Sequence, residues 1–106
     1  MSMITEFVYN DRDNTNDLLL KADGVAVDLS TVTRMIVEDV DGSFSVDENT
    51  SPSAFNRDTG VTGKVIIALG GESITAGKYI VRLIVYDPTN TSGLIWGDEG
   101  FYLNVV

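Results

Sequence analysis

The apolar residues of this chain occur in short runs that turn-forming residues separate. Turn signals recur roughly every 8–12 residues, a spacing typical of all-β sandwiches, and no window keeps the 3.6-residue period of an amphipathic helix. The pattern predicts an all-β protein: an antiparallel β-sandwich of about seven to eight strands. The runs that carry this prediction are 4–9, 18–22, 25–29, 32–40, 43–46, 61–69, 78–87, 94–97 and 101–106.

Two Asp-Gly pairs mark turns between these runs. Asp23–Gly24 separates 18–22 from 25–29, and Asp41–Gly42 separates 32–40 from 43–46. Asp-Gly is a strong hairpin signal because both positions tolerate a positive φ. Each pair therefore predicts a tight turn or hairpin.

The longest predicted strand is "KYIVRLIVYD", residues 78–87. Its alternating positions place one set of side chains on each face of a sheet. The first set is Tyr79, Val81, Leu83 and Val85, and the second is Ile80, Arg82, Ile84 and Tyr86. The second set is unusually apolar for a solvated face. Two interpretations stay open: neighbouring side chains cover this face, or it contacts another protein.

The segment "ITAGKY", residues 74–79, precedes that strand. A glycine at position 77 and a tyrosine at position 79 resemble a tyrosine corner, in which the phenol bonds to the backbone a few residues upstream. This pattern predicts a structural role for Gly77 and Tyr79 and supports a Greek-key sandwich.

The termini and one loop hold the candidate contact residues. Residues 1–16 are predicted as an edge strand or docking arm followed by a polar loop, and 17–106 as the sandwich. Arms and strand edges can add to a partner sheet, and aromatic residues often anchor interfaces. The loop 47–60 is predicted to lie on the surface, with Phe55 either inserted into the core or in contact with a partner. The interface candidates are Ile4, Phe7, Val8, Tyr9, Phe55, Trp96 and Tyr102.

Composition restricts the chemistry of the chain. Its 106 residues fit one domain, and the absence of cysteine and histidine excludes thiolate ligands, disulfides and histidine-based catalysis within the chain. The loop "LGGES" lacks the lysine and spacing of a phosphate-binding loop. A domain of this size also leaves little room for a sugar cleft between paired carboxylates. We therefore expect no enzymatic activity and no cofactor.

The net charge is −9, from 16 acidic and 7 basic residues. Such a surface repels nucleic acid and anionic membranes, so neither is expected as a partner. No apolar run reaches the ~18 residues of a membrane span. The N-terminal sequence has neither the basic nor the apolar region of a signal peptide, which predicts synthesis and folding in a cytoplasm.

Two acidic stretches are tested as calcium loops. In "EDVDGSFSVDE", residues 38–48, glycine falls at the fourth position from Asp39, whereas an EF-hand loop needs it at the sixth. Turn chemistry explains this stretch better, with its acids pointing outward from a hairpin. In "NDRDNTND", residues 10–17, the weak calcium candidates Asp11, Asp13 and Asp17 lack the glycine and the downstream glutamate of such a loop.

The order of segments resembles small immunoglobulin-like modules on tailed-phage particles. The stretch "LLLKADGVAVDLSTVTRMIVEDVDG" has the strand, the "DG" turn and the "DLS" step of their opening. The stretch "GKVIIALGGESITAGKYIVRLIVYDPTNTSGLIWGD" continues with a turn, "AGKY", a long strand and a tryptophan strand. The N-terminal module of phage baseplate upper proteins is the nearest family, over roughly residues 17–100. Bacterial adhesin and carbohydrate-binding modules share parts of this pattern.

The resemblance implies an immunoglobulin-like sandwich in the virion, made in the host bacterial cytoplasm. The expected function is a non-enzymatic structural component, such as a tail, baseplate, neck or head-decoration subunit. Its partners would be other virion proteins or further copies of itself. The alternative is a module that binds a glycan or a cell surface. That alternative predicts an exposed Trp96, whereas the assembly hypothesis predicts a buried one.

Overall fold

The computed structural model of the chain describes residues 5–22, 24–58 and 60–106. Within them the regular structure consists of strands and a single 3₁₀ turn at Pro52–Ala54, without an α-helix. The predicted all-β class is therefore confirmed. The strands are β1 (Thr5–Val8), β2 (Asn16–Leu19), β3 (Lys21–Ala22), β4 (Val25–Ala26), β5 (Arg34–Asp39), β6 (Ser45–Asp47), β7 (Phe55–Arg57), β8 (Lys64–Ile67), β9 (Gly77–Tyr86) and β10 (Leu94–Val105).

Two sheets and a short ribbon contain these strands. The larger sheet has five strands in the order β1-β10-β9-β5-β6, and it is mixed because β1 runs parallel to β10 while its other neighbours pair antiparallel. The second sheet is antiparallel, in the order β2-β8-β7. Strands β3 and β4 form a two-stranded ribbon.

Both larger sheets contribute to one hydrophobic core. In β9, Val81, Leu83 and Val85 are buried and alternate with partly exposed residues, whereas β5 also buries Ile36 between Met35 and Val37. Val37 of β5 and Leu83 of β9 are paired across the sheet, and Val65 of β8 comes from the other sheet. The buried apolar side chains include Val8, Leu20, Leu29, Met35, Val37, Val46, Ala54, Phe55, Val65, Ile67, Leu69, Ile74, Val81, Leu83, Val85, Leu103 and Val105.

Both Asp-Gly turns form as predicted. Gly24, with φ of +78°, lies between β3 and β4, and Gly42, with φ of +80°, lies between β5 and β6. A left-handed conformation without a Cβ penalty explains glycine at both positions. Residue 23 lies outside the described residues.

Three segments differ from the sequence prediction. The loop 47–60 contains strand β7, which pairs with β8 and buries Phe55. The run 25–29 forms only the two-residue strand β4. The runs 94–97 and 101–106 belong to the single strand β10, whose register with β9 shifts between Trp96 and Phe101. In each case pairing with the neighbouring strand in the chain sets the extent of the strand, which propensity alone does not encode.

The N-terminal strand pairs within its own domain. Thr5–Val8 lies beside the final strand in parallel register, with Thr5 opposite Tyr102 and Val8 opposite Val105. The side-chain amide of Asn16 donates a hydrogen bond to the Phe7 carbonyl at 3.0 Å. The sequence left open whether the start of the chain is an edge strand or a docking arm. In the structure, β1 is an edge strand of the five-stranded sheet.

Candidate protein-contact face

The five-stranded sheet has one face on the core and one that points away from it. We call the second the outer face. Cross-strand register defines the outer face. Val37 and Leu83 are paired and belong to the core, and successive side chains of a strand point to opposite faces. The next pair, Ile36 with Ile84, therefore lies on the outer face. The outer face carries Phe7, Arg34, Ile36, Glu38, Asp47, Lys78, Ile80, Arg82, Ile84, Tyr86, Ile95 and Tyr102.

The half of the outer face on β1, β10 and β9, which we call the apolar half, carries most of its large apolar side chains, with Thr5, Asn104, Lys78 and Arg82 among them. Ile84 pairs with Ile95, and Ile80 pairs with Tyr102, while Phe7 lies on the adjacent edge strand. Phe7, Ile80 and Ile95 are 45%, 39% and 47% exposed. Large apolar side chains on several adjacent strands form a patch that single scattered residues would not.

Two ion pairs lie on the outer face, one between β5 and β6 and one between β9 and β5. Arg34 forms an ion pair with Asp47, and the Arg82 Nε donates to Glu38 at 2.8 Å. The hydrogen bonds from Arg34 lower the pKa of Asp47 below its usual value. The charges of these two pairs balance, and Lys78 is a third cation on the outer face.

Two cations also lie against aromatic rings at the outer face. The Arg34 guanidinium is 5.1 Å from the centre of the Tyr86 ring, and the Lys78 ammonium is 4.5 Å from the centre of the Tyr102 ring. Both distances fall within cation–π range. Tyr102 is therefore held in a defined position on the surface.

The outward side of the three-stranded sheet is more polar. Its central residue Lys64 lies between the carboxylates of Asp17 and Asp58, at 3.4 and 3.5 Å. Leu19 and Ile66 are its apolar members, and the neighbouring Asn56 is exposed. The outward side of this sheet therefore mixes polar and apolar residues.

The structure separates the predicted interface candidates into two groups. Phe7 and Tyr102 lie on the outer face, and Tyr9 is exposed just beyond the end of β1. Val8 and Phe55 are 2% and 5% exposed and belong to the core, so neither is a contact residue. Val8 is buried because it faces inward beside Val105, and Phe55 because β7 pairs with β8. Ile4 lies outside the described residues.

Trp96 packs against the core. It opposes Leu83, a core residue of β9, and its indole nitrogen is buried without a hydrogen-bond partner among the described residues. The indole is therefore partly buried against the core. Its neighbour Ile95 points outward instead, a residue that sequence reasoning missed although strand alternation next to Trp96 signals it.

Four acids that the sequence suggested would point outward, Glu38, Asp39, Asp47 and Glu48, are buried or partly buried instead, while Asp41 is exposed. Asp39 is 5% exposed and accepts hydrogen bonds from Ser43 and from the backbone N–H of Asp41. Glu48 accepts from Arg57 at 2.5 and 2.8 Å. Glu38 and Asp47 bond to arginines of the outer face, as described above. The outward prediction was wrong because strand pairing brings arginines to Glu38, Asp47 and Glu48, and the turn itself bonds Asp39.

The weak calcium candidates do not form a ligand set. Asp17 lies on β2 and pairs with Lys64, whereas Asp11 and Asp13 lie in the preceding loop. Asp11 has a φ of +61°, and its N–H bonds to the Gly70 carbonyl at 2.9 Å. Among the residues that the structure describes, no group of three acidic residues is placed to hold a metal ion.

Tyr79 makes the hydrogen bond expected of a tyrosine corner. Its hydroxyl donates to the Thr75 carbonyl at 2.5 Å, and its ring meets Phe44 edge-on at 5.1 Å between centres. Gly77 lies beneath that ring, with a φ of +158°. Both residues thus lie at the entry to β9.

A cleft of about 270 Å³ lies where β9 ends. Arg34, Tyr86 and Asp87 line it together with Thr33, Pro88 and Thr91. Its charged groups are engaged within the chain, since Arg34 pairs with Asp47 and Asp87 accepts from Asn90. The cleft can admit a small molecule, and no sequence motif marks it.

Within the described part of the chain, no helix has the length and apolar character needed to cross a membrane. Comparison with models of protein families returns no match, and the chain likewise matches no curated protein and no solved structure.

Proposed function

We propose that this chain is a structural, assembly component of a tailed-phage particle that acts by docking to other proteins rather than by catalysis. The observation that carries the proposal is the apolar half of the outer face. An exposed patch of this kind, framed by polar residues, marks protein interaction surfaces more often than solvated ones. The segment order that resembles immunoglobulin-like phage modules supports the phage assignment.

The finer fold that we propose is an immunoglobulin-like Greek-key sandwich. The order β2-β8-β7 corresponds to strands B, E and D of that fold, and β6-β5-β9-β10 to strands C′, C, F and G. The tyrosine corner at Tyr79 lies near the start of the strand that corresponds to F, as in immunoglobulin-like domains. β1 pairs with β10, the strand that corresponds to G. This pairing supports a fold in which the first strand belongs to the same sheet as strand G.

A module that binds a glycan or a cell surface is the second candidate. The partly buried position of Trp96 against the core gives this hypothesis less support than an exposed ring would. The cleft beside Tyr86 is the remaining feature in its favour. A rise in melting temperature with an added oligosaccharide, lost in Tyr86→Ala, would support this candidate.

Mass spectrometry of purified phage particles tests the assembly proposal. Particles of the phage that encodes the chain would be purified on a density gradient, with a non-structural protein of the same genome as control. We expect the chain to remain with the particles at a fixed copy number while the control is lost. A chain found only in the unassembled soluble fraction would contradict the proposal.

A further inference from the structure

We infer that two copies of this chain pair through one sheet edge, where the segment "DLLLK", residues 17–21, lies antiparallel to the same segment of the second copy. This contact uses a different surface from the outer face, so it goes beyond the proposed docking function and does not depend on it. Three observations support it: the direction of the backbone groups along this edge, the blocking of the other sheet edges, and a charge pattern that complements itself.

The run 16–22 contains strands β2 and β3, and one of its edges is paired with β8 and then with β4. Leu20 turns both backbone groups to that paired edge, because its N–H donates to the Gly63 carbonyl at 2.8 Å and its carbonyl accepts from the Val27 N–H at 2.9 Å. Backbone groups alternate in direction along a strand, so those of every second residue point to the opposite edge. These residues are Asp17, Leu19 and Lys21, and we call the edge that they form the β2–β3 edge.

The other sheet edges are shorter and bonded within the chain. On β1, the Phe7 carbonyl accepts from the side-chain amide of Asn16 at 3.0 Å. On β6, the Asp47 carbonyl accepts from the Ser51 N–H at 2.8 Å, and on β7 the Phe55 N–H bonds back into the 3₁₀ turn. Among the described residues, no such bond reaches the outward groups of the β2–β3 edge. An uncovered edge of this length is a site for pairing with a further strand.

The residues of this edge complement themselves when a second copy lies antiparallel with Leu19 on the twofold axis. Asp17 then lies opposite Lys21 of the second copy, and Lys21 lies opposite Asp17. On the inner side, Leu18 lies opposite Leu20. The three outward residues of each copy exchange about six hydrogen bonds in all. Opposite charges and apolar residues in directly opposed positions stabilise an antiparallel pair, and a shift of two residues in either direction would lose both charge pairs.

The side chains at this edge are accessible to such a partner. The Asp17 side chain is 55% exposed, Leu19 is 50% exposed, and Lys21 is exposed. Asp17 lies 3.4 Å from Lys64, and its charge contributes, after burial, to the raised pKa of Glu6. A lysine that a second copy brings to Asp17 therefore offsets a repulsion already present between two acids.

The charge of the whole chain keeps this pairing weak. With a net charge of −9, two copies repel one another over most of their surfaces, so they can meet only where opposite charges are paired. A strand-edge contact also buries less than the ~1,600 Å² of a standard interface. We therefore expect a dimer that dissociates on dilution, with a Kd of the order of 100 μM.

Sedimentation equilibrium of the 11.5 kDa chain between about 10 μM and about 1 mM tests the pairing. Asp17→Lys and Lys21→Asp should each weaken the dimer at least about 10-fold, because each places like charges opposite one another at both ends of the contact. The first variant lowers the net negative charge and the second increases it, so overall repulsion does not explain a loss in both. An equimolar mixture of the two variants should recover the dimer, because their charges are again opposite.

The matched control is Arg12→Asp, which changes the net charge as Lys21→Asp does but lies exposed in the loop before β2. It should leave the dimer unchanged. Amide hydrogen exchange provides a second measurement on the wild-type chain. The Leu19 N–H should exchange more slowly as the concentration rises, whereas that of Ser45, on the edge strand β6, should not respond.

The opposite results overturn the inference. A wild-type chain that stays monomeric at about 1 mM, or folded variants that dimerise as strongly as wild type, would rule out this edge. Failure of the mixed variants to recover the dimer would rule out the register. Melting temperatures show whether both variants fold. If either does not, the exchange measurement decides, because a Leu19 exchange rate that is independent of concentration refutes the pairing.

Discussion

Asp39 shows how one buried side chain stabilises a turn in this protein. Its carboxylate accepts from the hydroxyl and N–H of Ser43 and from the N–H of Asp41, which ties the start of the β5–β6 turn to its end. The hydrogen bonds from Ser43 are the main reason that the pKa of Asp39 lies below its ordinary value of 3.8. The folded state therefore favours the ionised form.

We expect the contribution of Asp39 to vanish in acid. A carboxyl whose folded pKa is lowered stabilises the protein above its unfolded pKa, and that stability is lost as the pH falls through the folded value. Asp39→Asn should cost about 1–2 kcal/mol at pH 7, with the gap to wild type closing below about pH 4. Urea unfolding across this pH range measures the effect, and a gap that stays constant with pH would contradict it.

Glu6 should behave in the opposite sense. Its pKa is raised, first by burial and then by the nearby charge of Asp17, so its ionised form is unfavourable in the folded protein. Glu6→Gln is expected to raise stability at pH 7 by less than about 1 kcal/mol, a gain that fades as the pH falls through the raised pKa. Asp13→Asn, which removes one charge from an exposed loop, is the control for net charge and should give no such profile.

Gly70 and Gly71 form a matched pair for testing close packing. A Cβ on Gly70 would lie 2.1 Å from the Arg12 carbonyl oxygen, whereas one on Gly71 would meet nothing within 4 Å. Gly70→Ala should therefore destabilise the chain by at least about 2 kcal/mol, because backbone must move. Gly71→Ala should stay within about 0.5 kcal/mol of wild type. Equal effects in denaturant unfolding would show that the loop yields without cost.

At the scale of elements, the entry to β9 joins the two sheets. The chain leaves β8 in the three-stranded sheet and enters β9 at the centre of the five-stranded sheet. Tyr79 bonds back to Thr75 in this connection, and its ring rests on Phe44. The sequence predicted this corner because its residues are close together in the chain.

Removing the Tyr79 hydroxyl tests the corner. Tyr79→Phe keeps the ring contact with Phe44 and loses the hydrogen bond to Thr75, so we expect a loss of about 1 kcal/mol in unfolding free energy. Tyr9→Phe, on a tyrosine that is 42% exposed at the surface, is the control and should change stability little. If the two variants unfold alike, the hydrogen bond contributes nothing to the fold.

At the scale of the whole molecule, the environment of Trp96 distinguishes a sugar-binding module, which predicts an exposed ring, from an assembly protein, which predicts a buried one. Because the indole packs against the core and its nitrogen is buried, the fluorescence of this sole tryptophan should be blue-shifted and poorly quenched by iodide. Calcium and chelator should leave the emission and the solution mass unchanged, since the described acids form no metal-binding group. Red, quenchable emission would return the sugar-platform hypothesis to consideration.

The elements whose signals are local were predictable. Both Asp-Gly turns, the long strand β9 and the all-β class follow from alternation and turn chemistry within a few residues. The strand β7 was missed because its sequence, Phe55–Arg57, is short and polar apart from Phe55. It forms because β8 supplies its hydrogen-bond partners, and those partners are set by tertiary pairing.

Part of the candidate site was likewise predictable from local sequence, and the rest depended on tertiary pairing. Sequence alone identified Ile80, Ile84 and Tyr86 as an unusually apolar strand face, since alternation along one strand is a local property. Only the tertiary structure decided that Ile95 and Phe7 extend this face and that Val8 and Phe55 leave it. Neighbouring strands, register and ion-pair partners join residues far apart in the chain, and these long-range pairings determine which side chains are covered.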